Sequence, residues 1–188
     1  MNKRLLWMAR VAVLAALGFG LKFFSFPVIP VADWLKLDFG ELPALLAALA
    51  MGPMAGITVS LITNGLDFLF QATFGGVGQL ANFLMGIALC VPAGLIYQRH
   101  RTFKRALMGL LVSCLAMVGV AVLANLYLLV PAAGFSAAIS KMSFWGMSGM
   151  RGYILMAIVP FNLLKGVVLS VLMLLLYKRV AFLLHGKK

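Results

Sequence analysis

The chain has 188 residues, 64% of them hydrophobic and only 11% charged, with a mean hydropathy of +1.08 and a formal net charge of +12. Soluble domains carry about 25% charged residues, so this chain cannot cover a soluble surface and has little sequence to spare for a soluble domain. Nor does the positive charge point to nucleic acid: the basic residues sit at the ends of apolar runs, as membrane anchors do, and no long basic tract is interleaved with aromatics.

Apolar runs of about 17–25 residues predict an all-α membrane protein with six transmembrane helices, forming a single transmembrane domain over residues 1–188. The first span covers about Leu5 to Phe24. Lys3 and Arg4 ahead of an apolar run mimic a secretory signal, but no small-x-small cleavage site stands out before Lys22, so a retained helix is expected. Ala12, Ala16 and Gly20 form a stripe of small residues on one face, a pattern that lets helix backbones approach closely.

A long segment follows, "SFPVIPVADWLKLDFGELP" from Ser25 to Pro43. Together with the later segment from about Pro131 to Arg151 it reads as a lid or binding element. Phe26, Trp34, Phe39, Phe144 and Trp145 would be costly to leave in water. The second span, about Leu42 to Met51, is short and is broken by Gly52-Pro53. The third covers about Met54 to Phe70, the fourth Gln79 to Tyr97, the fifth Ala106 to Val130 and the sixth Gly152 to Lys178.

Charge sets the orientation. Lys3, Arg4, Arg10, Arg99, Arg101, Lys104, Arg105, Lys178, Arg179, Lys187 and Lys188 fall on one side of a six-span chain. The positive-inside rule makes that side, with both termini, cytoplasmic. The other side keeps Lys22, Lys36, Lys141 and Arg151, and all four acids (Asp33, Asp38, Glu41 and Asp67) lie at or near it.

The spans carry few polar groups. Asn82 lies in the fourth, Asn125 in the fifth, and Asn162 and Lys165 share a face of the sixth, beside Gly166. Pro160 removes a backbone donor and leaves the carbonyl of Met156 without its usual partner. A lone Asn can be accounted for by interhelical hydrogen bonding, worth about 0.6 kcal/mol. An ammonium at the centre of a span costs roughly 2.5–3.5 kcal/mol on insertion scales and needs compensation. Asp67, Asp38 and Glu41 are the possible partners for Lys165; a bound ligand is the other means of satisfying it.

Several chemistries have no residues to carry them. There is no phosphate-binding GxxxxGK[ST] loop, no HExxH, and no histidine within a span; His100 and His185 lie far apart in basic segments. Cys90 and Cys114 read as buried inert thiols. No acidic chain offers a proton relay. An enzyme is therefore not expected, and neither is a resident metal or cofactor.

Three stretches, "LKLDFGELPALLAALAMGP" (Leu35–Pro53), "GQLANFLMG" (Gly78–Gly86) and "VPFNLLKG" (Val159–Gly166), resemble in the same order the riboflavin-specific substrate-binding subunits of energy-coupling-factor transporters. The resemblance covers most of the chain. It implies a six-helix protein of the bacterial plasma membrane that holds riboflavin, as transported substrate, in an outward-opening pocket. That pocket is capped by the first outer loop and built largely from the fourth to sixth helices. The resemblance also implies partners: a transmembrane coupling subunit and two ATP-binding subunits, docked through an AxxxA motif that Ala12 and Ala16 match.

By the same resemblance Asn125, Asn162 and Lys165 contact the flavin ring, Gly78 and Asn82 fall in a Gly-x-x-Ala-Asn-Phe signature, and Asp38 falls in a loop signature with Phe39 and Glu41 beside it. Gln79 stands where the family usually has Glu, and Gly40-Glu41 where it often has Ser-Asp. Riboflavin is flat and largely apolar with carbonyls and ring nitrogens on one edge, so apolar walls with a few amides suit it. A ring carbonyl could satisfy Lys165 without a carboxylate partner. A subunit for another vitamin and a self-sufficient secondary transporter are the competing readings.

Overall fold

The computed structural model describes residues 2–29, 32, 34–72, 74–141, 143–144 and 146–185. Helix α1 (Lys3–Lys22) starts where the Asn2 side chain accepts from the Arg4 amide at 3.1 Å, filling one of the donors a helix start leaves open. Helix α2 (Leu42–Met51) and helix α3 (Pro53–Gln71) are separated by Gly52 alone, at φ 101°. Glycine adopts that backbone without strain, and Pro53 then opens α3 at a position where its missing N–H costs nothing. The chain doubles back there: Gly56 lies so close to Ala44 and Ala48 that a Cβ would sit 2.7 Å from Ala48 Cβ.

Helix α4 (Val77–Arg99) follows a short 3-10 turn, Phe74–Gly76. Helix α5 begins at Phe103, capped by the Thr102 side chain, runs to Ala124, passes through a π-helical turn, Asn125–Leu129, and ends at Ala132. After the short helix α6 (Ser136–Lys141), helix α7 runs as Gly149–Gly152, a second π turn Tyr153–Ile158, and then Val159–His185. In the π turns Val130 N donates to Asn125 O and Val159 N to Ile154 O, five residues back. Pro131 and Pro160 come next in each case. A proline supplies no N–H and crowds the preceding turn, and the wider π turn accommodates both defects. The disturbance expected at Pro160 is thus a change of helix type over six residues.

Five helices, Lys3–Lys22, Pro53–Gln71, Val77–Arg99, Phe103–Ala132 and Gly149–Leu176, are long and apolar enough to cross a membrane; Leu42–Met51 is not. The bounds read from the sequence for the short second helix coincide with α2. The ten residues of α2 cover about 15 Å, half of a hydrocarbon core of about 30 Å. Glu41 touches Ser60 and Gly86, which lie about 15 Å along α3 and α4 from their Gln71 and Val77 ends. Non-helical backbone at that depth is tolerated only when protein surrounds it, and Ala32, Leu35, Leu37, Asp38 and Glu41 are all buried.

Two short antiparallel pairs close that end of the bundle. Strand β1 (Phe26–Pro27) pairs with β2 (Lys36–Leu37), and β3 (Ser143–Phe144) with β4 (Met147–Ser148). Ile29, Ala32, Leu35 and Leu37 pack with Ala121, Val130, Ile139, Ala157 and Phe161 in one apolar cluster. The loop is thus a packed cap rather than a solvated connector, as its aromatics suggested, though Phe26 stays 49% exposed. Asp33, Trp145, Lys187 and Lys188, together with the side chains of Phe144, Lys178 and Arg179, lie outside the described residues. Leu107, Leu111, Leu115, Val167, Val171 and Leu175 are exposed on α5 and α7, an apolar exterior suited to lipid.

Candidate functional site

Beneath the cap lies a cavity of about 380 Å³, lined by loop residues Trp34, Leu35, Lys36 and Asp38 and by side chains of α1, α3, α4, α5 and α7. This volume falls in the range of small-molecule sites. Ser25, Lys36 and Gln71 are exposed and mark the mouth; Asn125, Asn162 and Lys165 are buried and mark the floor. Met85, Leu129 and Phe161 contribute apolar walls.

Lys165 does have a carboxylate partner. Its Nζ donates to Asp38 Oδ2 at 2.8 Å, while Asp38 Oδ1 accepts from the Gly40 amide at 2.9 Å. The idea that a ligand alone satisfies Lys165 is therefore corrected: Asp38 brings a compensating charge from 127 residues away. An uncompensated ammonium at this depth would be costly, and the pairing also ties the cap to the floor.

The other two candidate partners are engaged elsewhere. Lys22 Nζ donates to Asp67 Oδ2 at 3.0 Å and to Asn64 Oδ1 at 2.7 Å. Asn64 Nδ2 donates to Glu41 Oε1 and Ser60 Oγ donates to Glu41 Oε2, each at 2.9 Å. Gln79 Nε2 donates to Asp67 Oδ2 at 3.2 Å and to Gln71 O at 2.9 Å. The departure at Gln79 has a physical role, since an amide can donate to Asp67 whereas a carboxylate there would repel it. Lys22, assigned by sequence to the outer surface, is in fact 7% exposed and lines the cavity.

The floor amides are fixed from behind. Asn125 Nδ2 donates to Ala121 O at 2.8 Å, and its Oδ1 accepts from Tyr153 Oη at 2.9 Å. Tyr153 Oη accepts from Trp34 Nε1 of the cap at 3.2 Å, and the Trp34 ring lies 4.9 Å from that of Phe135. Asn162 Nδ2 donates to Ile158 O at 2.9 Å, which orients the amide, but Asn162 Oδ1 is buried with no hydrogen-bond partner among the described residues. Buried acceptors without a donor are uncommon and costly.

Six of the eight residues expected to hold the ligand, Asp38, Gly78, Asn82, Asn125, Asn162 and Lys165, line this one cavity. Phe39 and Glu41 do not; Glu41 lies behind it, held by Ser60 and Asn64. Ala12, Ala16 and Gly20 are exposed along α1, while Val11, Ala15 and Gly18 on the opposite face are buried. Gly166 packs against Cys114 and Met117 of α5, the close approach expected of it.

The family described as "ECF transporter, substrate-specific component" matches residues 7–177. The chain belongs to this family. It is 36% identical over 180 residues to the riboflavin transporter RibU of Staphylococcus aureus (strain TCH60), covering 96% of this chain and 91% of that protein. It is 33% identical over 172 residues to the riboflavin transporter FmnP of Bacillus subtilis (strain 168), covering 89% and 87% of the two chains. A solved structure, "Structure and mechanism of the S component of a bacterial ECF transporter", superposes with a TM-score of 0.79 at 34% identity over 98% of this chain and 100% of that one. These relatives are transporters by name, in keeping with a chain that is not an enzyme.

Proposed function

We propose that this chain is the riboflavin-binding component of an ATP-driven vitamin uptake transporter of the bacterial plasma membrane. The observation that carries the reading is Asn162 Oδ1, a buried acceptor without a donor among the described residues, one helical turn from the Lys165 ammonium in a cavity that joins apolar walls to a polar floor and mouth. A ligand edge that alternates carbonyl and N–H groups supplies what both side chains lack. The flavin ring has such an edge, and its flat body suits the walls of Met85, Leu129 and Phe161. The polyol tail would then face the polar mouth at Ser25, Lys36 and Gln71.

In this reading the whole chain is one transmembrane domain with both termini cytoplasmic. The loop before α2 and α2 itself together make the second of six crossings. The exposed Ala12 and Ala16 form the face on which a transmembrane coupling subunit docks, because small residues admit a second helix at close range. Two ATP-binding subunits supply the energy, which explains why this chain needs no nucleotide motif of its own.

The deciding experiment is titration of riboflavin into the detergent-purified protein, followed by flavin fluorescence and the visible spectrum. Saturable binding at about one flavin per chain supports the proposal. A colourless protein that binds no added riboflavin overturns it. Concentrative uptake by the chain alone in liposomes, driven by an ion gradient, would instead favour a secondary transporter.

A further inference from the structure

The two π turns, on different helices, are joined at their first residues. Asn125 opens the turn in α5 and Tyr153 opens the turn in α7, and the Tyr153 hydroxyl donates to Asn125 Oδ1 at 2.9 Å. The Tyr153 hydroxyl oxygen accepts from Trp34 Nε1 of the cap at 3.2 Å. Trp34 and Asn125 line the cavity, whereas Tyr153, 1% exposed, stands behind them.

The donors and acceptors fix a direction. An Asn side chain has one acceptor oxygen and an amide nitrogen with two hydrogens. One hydrogen of Asn125 goes to Ala121 O, and its oxygen is engaged by Tyr153. What Asn125 retains for a ligand is chiefly its second N–H. Asn162 is the complement, with its nitrogen bonded to Ile158 O and its oxygen left over. The hydroxyl gives its single hydrogen to Asn125, so it must receive Trp34 as a donor, and the chain of bonds runs from cap to floor.

We infer that Tyr153 is a positioning residue for ligand recognition. It holds Asn125 so that the amide presents a donor, selecting an acceptor such as a ring carbonyl, and it makes the docking of Trp34 depend on the same hydroxyl. The inference rests on the flavin reading above. Without the hydroxyl, Asn125 Oδ1 loses its donor and the amide is free to turn, while the ring of residue 153 still fills its place in the core.

The test is a double-mutant cycle. Riboflavin is titrated into the wild-type protein, Tyr153→Phe, Asn125→Ala and the double variant, and the visible spectrum of the bound flavin is recorded for each. Tyr153→Phe is expected to weaken binding about tenfold, the scale of one misplaced buried hydrogen bond. In the Asn125→Ala background the same change should cost less than about threefold, because a residue acting through another loses its effect when that other is gone. The bound-flavin spectrum of Tyr153→Phe should move toward that of Asn125→Ala, a shift that a purely structural role would not produce. Additive losses, or an unchanged affinity in Tyr153→Phe, overturn the inference while leaving riboflavin binding in place. A wild-type protein that binds no riboflavin overturns the flavin reading and the inference together. If Tyr153→Phe does not fold, Tyr153→Leu takes its place, since it also removes the hydroxyl and leaves the cavity-lining Trp34 and Asn125 unchanged. Its loss of affinity should largely disappear in the Asn125→Ala background, and equal losses in both backgrounds overturn the inference.

Discussion

Two buried lysines sit in this protein in different company. Lys22 is enclosed by Asp67 and Asn64, and through them by Glu41, Ser60 and Gln79, a network in which side chain answers side chain across α1, α3, α4 and the loop. Lys165 has one carboxylate, Asp38, and one turn away an amide oxygen with no partner. The first cluster is a closed joint and the second is an open one. Fully satisfied buried polar groups fix geometry, while a buried group left short at a cavity wall is a demand addressed to a ligand. Lys22 gives two of its three N–H groups to Asp67 and Asn64, whereas Lys165 gives one, to Asp38, and so has more capacity left for a ligand.

Breaking the closed joint should have the largest effect. Lys22→Met leaves Asp67 and Glu41 with no cation between them, and removing one partner of a buried pair costs about 3–5 kcal/mol. The thermal unfolding temperature of the purified protein should fall sharply, by a similar amount with and without saturating riboflavin. An unchanged midpoint would mean that the network carries no stability.

Lys165→Met comes next: it also leaves a buried carboxylate, Asp38, without its cation and so lowers the unfolding temperature, but it should weaken ligand binding as well. It keeps the stem and removes the charge, so binding should weaken by about 1.5–3 kcal/mol, roughly tenfold or more, if a charged hydrogen bond to the ligand is lost. Bound ligand stabilises a fold in proportion to its affinity, so the rise in unfolding temperature on adding riboflavin should shrink in this variant and persist in Lys22→Met. Titration by fluorescence quenching beside thermal unfolding separates the two. Association with a coupling subunit should survive the change at Lys165.

The smallest effect on binding is expected from Ala12→Trp and Ala16→Trp. Both positions are exposed on the face of α1 opposite Val11, Ala15 and Gly18. Flavin affinity should stay within about threefold of wild type, whereas bulk there blocks close helix approach, so co-purification with the coupling and ATP-binding subunits should be lost. Retained assembly would remove α1 from the docking face.

Much of this was legible in the sequence because apolar length and isolated polar residues are local signals. The bounds of α2 could be read from Gly52-Pro53, and Asn125, Asn162 and Lys165 stood out against apolar neighbours; they converge on one cavity. What escaped notice depends on distant pairing. Nothing near Lys165 distinguishes Asp38 from Asp67 as its partner, and the choice follows from how deep the loop folds into the bundle. Lys22 resembled an ordinary helix-end charge because its partners lie more than forty residues away. Tyr153 carried no local signal, and the role inferred for it depends on a hydroxyl position between two π turns. Pro131 and Pro160 were the local hints of those turns. Glu41 stood beside Asp38 in the sequence and was grouped with it, yet it faces Ser60 and Asn64 instead of the cavity.

The contrast between a closed and an open joint reduces most directly to one comparison on Asn162→Ala: the unfolding temperature of the ligand-free protein, measured together with its riboflavin affinity. Among the described residues Asn162 Oδ1 has no partner, and the side chain forfeits only the bond from Nδ2 to Ile158 O, so removing it should lower the ligand-free unfolding temperature little, while affinity falls about tenfold as the ligand loses its acceptor. A variant that is destabilised when empty but binds riboflavin as tightly as wild type would contradict the account, because Asn162 would then serve the fold and not the ligand.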